Sequence, residues 1–157
     1  MSDDVLFNVE AYAAALQGEG RLLGLDLGSK TIGLAISDSR WTVASPIDTI
    51  QRKKFTIDAK TMLELAAREN IKGLVIGWPI NMNGSEGPRC QATRAFQRNL
   101  AKLTQLPMLF WDERLSSVAA DRAMLEADLS RVKRAQNIDQ IAASLILQSA
   151  MDRLARL

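Results

Sequence analysis

The sequence predicts an α/β fold with a mixed five-stranded sheet, three antiparallel strands followed by two parallel ones, and helices on both faces. Three observations carry this prediction. Three apolar runs follow one another between residues 22 and 50 with only short polar turns between them, the pattern of an antiparallel meander. Two further apolar runs, at 73–76 and 107–111, each follow a stretch of helical periodicity, as parallel strands joined by crossovers do. The chain then closes on helical sequence in which Ile138, Ile141, Ala142, Leu145 and Ile146 share one face.

Taken in order, residues 1–20 read as an N-terminal extension ahead of one domain spanning 21–157. The extension holds a short helix around 9–16, broken by Gly18-Glu19-Gly20. Strands are expected at 22–27, 31–38 and, shorter, around 42–50. Helical spacing covers 56–69, and the buried strand at 73–76 ends at Gly77-Trp78-Pro79. The loop Asn81-Met82-Asn83-Gly84-Ser85-Glu86-Gly87-Pro88 leads to a helix over about 90–103. After the fifth strand, Ser116 or Ser117 caps a helix running to about residue 127, and a polar, basic loop precedes the last helix. With right-handed crossovers, the order βββαβαβαα is the ribonuclease H-like arrangement. Its first strand is central, and the fourth and fifth lie on the side away from the hairpin. Acids that end those strands therefore converge with an acid in the first.

A chain of 157 residues fits one domain. Its single cysteine, Cys90, excludes an internal disulfide, and Met1-Ser2-Asp3-Asp4 is not a basic-then-apolar signal segment, so a cytoplasmic protein is expected. No apolar run approaches the roughly 20 residues that span a bilayer, so a soluble protein with no membrane partner is expected. The chain has no histidine, which removes the commonest general base and the usual zinc ligand together. A metal site here must be built from carboxylates, and oxygen donors favour Mg²⁺ or Mn²⁺. The formal net charge is +2, but residues 1–20 contain four acids and no Lys or Arg, so the remainder is more strongly basic. Basic clusters at Arg52-Lys53-Lys54 and Arg131-Val132-Lys133-Arg134 suit a polyanionic partner such as nucleic acid. They also suit a solvated surface.

The run Leu22-Leu23-Gly24-Leu25-Asp26-Leu27-Gly28-Ser29-Lys30-Thr31 sets one carboxylate inside an apolar strand that turns straight back. Such a charge requires compensation by a cation, a metal ion or the N–H groups of a glycine-rich turn. Asp26 is therefore the first candidate functional residue, with a simple turn cap as the alternative. Asp112-Glu113 at the end of the fifth strand and Asp139 at the start of the last helix complete the acid set. For Asp139 the alternative is an acid complementing the helix dipole. For Glu113 it is an ion pair with Arg114 or a loop cap. Carboxylates holding two divalent ions can hydrolyse a phosphodiester without histidine, and Lys30 and Arg114 are placed to bind the phosphates. Asn81, Asn83 and Ser85 bring amides and a hydroxyl suited to a nucleic-acid backbone, or to bracing their own loop.

These blocks resemble the YqgF/RuvX family of RuvC-like nucleases, a family of Holliday junction resolvases or pre-16S ribosomal RNA nucleases. The resemblance runs from about Arg21 to Leu154. It rests on Gly24-Leu25-Asp26-Leu27-Gly28-Ser29-Lys30-Thr31-Ile32-Gly33, Ala44-Ser45-Pro46, the Gly77–Pro88 segment, Asp112-Glu113-Arg114-Leu115-Ser116-Ser117, and Asp139-Gln140-Ile141-Ala142-Ala143-Ser144 continuing to Gln148. It implies a ribonuclease H-like fold and a divalent-metal-dependent endonuclease in the cytoplasm that matures the 5′ end of small-subunit ribosomal RNA. By position it also implies Asp26, Glu113 and Asp139 as metal-binding acids. RuvC resolvases carry a second acid one turn along the last helix, where this chain has Ala142, and an acid at the end of the fourth strand, where it has Trp78-Pro79. The second acid must then come from the fifth strand, with Asp112 as the alternative to Glu113.

Three further readings compete with processing of 16S precursor RNA. The first is resolution of branched DNA, for which a homodimer would be favoured over a monomer. The second is a non-catalytic RNA-binding protein associated with ribosomes or transcription. The third is a nucleotide-binding module, because Asp26-Leu27-Gly28-Ser29-Lys30 also resembles the first phosphate loop of actin-like ATPases. Those proteins close two such domains around the nucleotide, and this chain has the length of one.

Overall fold

A computed structural model describes residues 6–117 and 132–157, and side chains for all of these except 132–137. The body of the helix expected from Ser116 or Ser117 to residue 127, from 118 on, and Arg131 of the basic loop behind it lie outside the described residues. The elements in chain order are α1 (Val9–Ala15), β1 (Arg21–Leu27), β2 (Thr31–Ser37), β3 (Ala44–Gln51), α2 (Phe55–Arg68), β4 (Ile71–Trp78), α3 (Pro88–Ala101), β5 (Met108–Asp112), a 3-10 turn (Glu113–Leu115) and α4 (Val132–Leu154). The strands form one sheet in the order β3-β2-β1-β4-β5. β1 pairs antiparallel with β2 and parallel with β4, so the expected topology holds, with β1 central.

Alternation along the strands sorts side chains to two faces. Leu23, Leu25, Leu27, Ile32, Leu34, Leu74, Ile76, Trp78 and Phe110 pack with Met62 and Leu65 of α2 and Phe96 and Leu100 of α3. Leu22, Ala35, Val75, Leu109 and Trp111 face Ala142, Ala143, Ile146, Leu147, Ala150 and Met151 of α4. β1 is buried on both sides, which is why it reads as a nearly unbroken apolar run. β3 is an edge strand, and its Pro46 is tolerated there beside an irregularity in the pairing with β2.

Residues 6–16, within the stretch expected as an N-terminal extension, wrap the β5 edge. Leu6 joins the core on the α2/α3 face, Tyr12 joins the core on the α4 face, and Phe7 packs edge-on against Trp78 at 5.1 Å. The wrap covers a strand edge that would otherwise be open to pairing. The last helix begins at Val132, not near Ile138, because the polar residues of its first turns do not interrupt helix formation. Its apolar face is needed only where it reaches the sheet.

Candidate active site

Asp26 lies in β1 on the α4 face and is only 3 % exposed. Its cross-strand partner is Gly33 of β2. On the other side Leu25 pairs with Ile76, so the next position, Gly77, stands beside Asp26. Both glycines are required by close approach. A Cβ on Gly33 would stand 2.0 Å from the carbonyl oxygen of Asp139, and one on Gly77 would stand 3.4 Å from the carboxyl carbon of Glu113 and 2.7 Å from Ile146 Cδ1. The two bare positions let α4 and the 3-10 turn settle directly onto the sheet. Asp26, Glu113 and Asp139 thereby come to one face, around the carboxyl end of β1.

Asp139 is held from a second direction, because the Thr31 hydroxyl donates a hydrogen bond to its carboxylate. It sits about two turns inside α4, beyond the reach of the helix dipole, which fades within the first turn. The dipole alternative is thus removed. Farther along, Gln140 Nε2 donates to Thr49 Oγ1 at 3.1 Å and Gln148 Oε1 accepts from the Ala44 N–H at 2.9 Å. These bonds fix the helix to β3 at both ends of that strand.

Asp112 and Glu113 part company. Asp112 accepts hydrogen bonds from the Arg114 N–H at 2.9 Å and from Arg114 Nε at 3.1 Å, and its Oδ2 pairs with Arg114 Nη2 at 2.7 Å. Partial burial alone would raise the Asp112 carboxyl, but the hydrogen bonds and charge of Arg114 outweigh it and hold it below the ordinary range. Arg114, expected on a phosphate, is thus engaged by Asp112.

Lys30 is exposed on the turn after β1. Asn81, Asn83 and Ser85 brace one another: Asn81 Nδ2 donates to Ser85 Oγ at 3.0 Å, and the Ser85 hydroxyl donates to Asn83 Oδ1 at 2.6 Å. Gly84 at the tip of that loop lies against Arg114 Nη1, so the loop stands over the acid end of β5. Lys133 and Arg134 fall in the first turn of α4, where only the backbone is described.

The second buried acid, Asp58, is a structural group, since its carboxylate accepts the Lys53 N–H at 3.1 Å ahead of α2. Asp26 has no such place at a helix start. Sequence reasoning missed Thr31, Gly33 and Gly77. The available signal was register, because Gly33 and Gly77 are the two positions that flank Asp26 on one sheet face. The acids offer oxygen donors only, the chemistry that hard divalent cations take. Among the described residues no three such side chains already close round a single point.

The sequence profile described as RuvX, Holliday junction resolvase, matches residues 20–153. The chain belongs to the RuvX family. Family members with the name "Putative pre-16S rRNA nuclease" include one from Rhodobacter capsulatus, 58 % identical over 149 residues and covering 95 % of this chain and 94 % of its own. Another, from Chelativorans sp., is 62 % identical over 136 residues, covering 87 % and 85 %. Among solved structures, Thermus thermophilus RuvC matches with a TM-score of 0.54 at 11 % identity, covering 86 % of this chain and 96 % of that one. That likeness bears on the fold, and it agrees with the ribonuclease H-like arrangement expected from the order of elements.

Proposed function

We propose that this RuvX-family chain is a divalent-metal-dependent endonuclease that trims the 5′ end of 16S precursor RNA in the cytoplasm. The observation that carries the reading is the placement of Asp26 between Gly33 and Gly77, with Asp139 overlying one glycine and Glu113 the other. Family membership and the name of its relatives support the substrate. No described helix is long and apolar enough to cross a membrane.

Asp26, Glu113 and Asp139 would hold Mg²⁺ or Mn²⁺, which supplies a water nucleophile at neutral pH and stabilises the leaving oxygen. Asp26 sits on the central, fully buried part of the sheet and would hold the ion at a fixed place relative to the strand to be cut. Thr31 orients the Asp139 carboxylate, as supporting hydrogen bonds do around metal-ligating acids. Lys30, exposed on the neighbouring turn, attracts the strand. Arg114, anchored by Asp112, presents its remaining donors beside the 81–87 loop, and Lys133 and Arg134 are further candidates for contact with the strand's phosphates. A monomer suffices to cut one strand, whereas a symmetric cut of a four-way junction calls for a homodimer.

The test is cleavage of an end-labelled 16S precursor RNA and of a four-way DNA junction, each with Mg²⁺ or Mn²⁺, by wild type and Asp26→Asn. The expected result is a defined cut near the mature 5′ end by wild type, slowed about a hundredfold or more in the variant, with RNA binding retained. Cutting of the junction alone would favour branched DNA, the substrate named in the family's description. Tight RNA binding with neither substrate cut would favour the non-catalytic reading.

A further inference from the structure

Beneath the turn that follows β1, on the sheet face opposite the acids, lies a cleft of about 460 Å³ lined by Leu27, Gly28, Ser29, Arg52, Arg89 and Phe96, among others. Two arginines are among its lining residues. Arg89 Nη2 donates to the Leu27 carbonyl at 3.2 Å and Arg52 Nη1 donates to the Gly28 carbonyl at 2.6 Å, so the two charges are anchored on successive backbone oxygens. Arg52 also lies 5.8 Å from the centre of the Phe96 ring, which fixes its plane. Among the described residues neither guanidinium meets a carboxylate: the acids paired with Arg or Lys are Glu69, Glu86, Asp112 and Glu10, and their partners are Arg21, Arg68, Arg94, Arg114 and Arg153.

Two like charges gathered on adjacent carbonyls repel one another unless an anion lies between them. Each arginine spends one N–H on the turn and keeps others for a ligand, and the guanidinium fork matches a phosphate. Leu27 and Gly28 follow Asp26 directly in the chain, so an anion held here is close to the acid end of β1 but round the turn from it.

We propose that Arg52 and Arg89 together grip one phosphodiester of the substrate strand, next to the phosphate that is cut, and so set where along the strand the acids act. The inference rests on the nuclease reading. It assigns the cleft to the strand's backbone, so recognition there is independent of base sequence. It also separates Arg52 from Lys53 and Lys54 in the same basic run, which are exposed and serve only as diffuse charge.

The test is equilibrium binding, in EDTA so that the strand stays intact, of labelled precursor RNA to wild type, Arg52→Gln, Arg89→Gln and the double variant. It is repeated with strands that each carry one neutral methylphosphonate linkage. The double variant should bind about tenfold more weakly or worse, with a slope of log affinity against log salt shallower by about 0.7. Wild type should lose affinity sharply at one linkage near the cut, and the double variant should show no loss there. Unchanged affinity and salt slope would overturn the proposal. So would weaker binding with the wild-type linkage pattern intact, since arginines that merely brace the turn would produce that result. If the double variant does not fold, Arg89→Gln alone carries the comparison, because Arg89 is exposed and its side chain makes one hydrogen bond among the described residues. Failure of wild type to cut with Mg²⁺ bears on the nuclease reading, and this binding experiment is independent of it.

Discussion

Thr31 and Asp112 each make a contact that bears on which carboxylates are proposed to hold the metal and which brace the fold. The Thr31 hydroxyl donates to Asp139 across more than a hundred residues of sequence. Thr31→Val keeps the shape and removes the donor, so cleavage is expected to fall about 10- to 100-fold while the melting temperature stays near that of wild type. Steady-state cleavage across a Mg²⁺ titration, beside a thermal melt, checks both parts. Asp112 spends both oxygens on Arg114, whereas Glu113 lies over Gly77. Glu113→Gln is expected to abolish cleavage, and Asp112→Asn to reduce it by no more than about tenfold, as loss of a partly exposed ion pair away from the metal does. The reverse ranking in the same assay would reassign the second acid to Asp112.

At the scale of elements, the fit of α4 on the sheet depends on what is missing from β2. Gly33→Ala places a methyl 2.0 Å from the Asp139 carbonyl oxygen, and backbone on both sides leaves nothing flexible to yield. The variant should lose at least about 1–3 kcal/mol, the usual cost of overpacking, and lose activity with it, as read by urea unfolding and cleavage. The β2–β3 connection is pinned differently. Asp38 accepts from the Thr42 hydroxyl and from the N–H groups of Thr42 and Val43, and these bonds lower its carboxyl from 3.8 to about 2. A carboxyl that ionises more readily in the fold adds stability above its unfolded value, and that stability is lost as the pH falls through its folded one. Thermal melts of wild type between about pH 4 and pH 2 should therefore decline more steeply than those of Asp38→Asn. Most element bounds were legible in the sequence to within a few residues, because alternation and 3.6-residue spacing are local. The start of α4 was not legible, because its first turns are polar and only the distant sheet tells which later residues are buried.

At the scale of the molecule, the chain contains no histidine, so no imidazole titrates between pH 6 and 7 in the fold or at the site. Cleavage measured from about pH 5.5 to 9 should rise without a limb near pH 6.5, and a bell centred there would contradict a site built from carboxylates. The wrapping of residues 6–16 round the β5 edge likewise emerges only from the whole. Leu6 and Tyr12 are ordinary apolar residues until the edge they cover exists. By itself the sequence determined the order of the elements, the central place of β1, the lone charge within it and the restriction to oxygen donors. Each of these follows from residue type and local period. Tertiary structure alone decided that Glu113 and not Asp112 overlies Gly77, that Arg114 turns to Asp112, that the 81–87 loop spends its amides on itself, and that Arg52 and Arg89 meet in one cleft. Those outcomes depend on cross-strand register and on which backbone can approach which, and no local stretch of sequence contains either partner of such a contact.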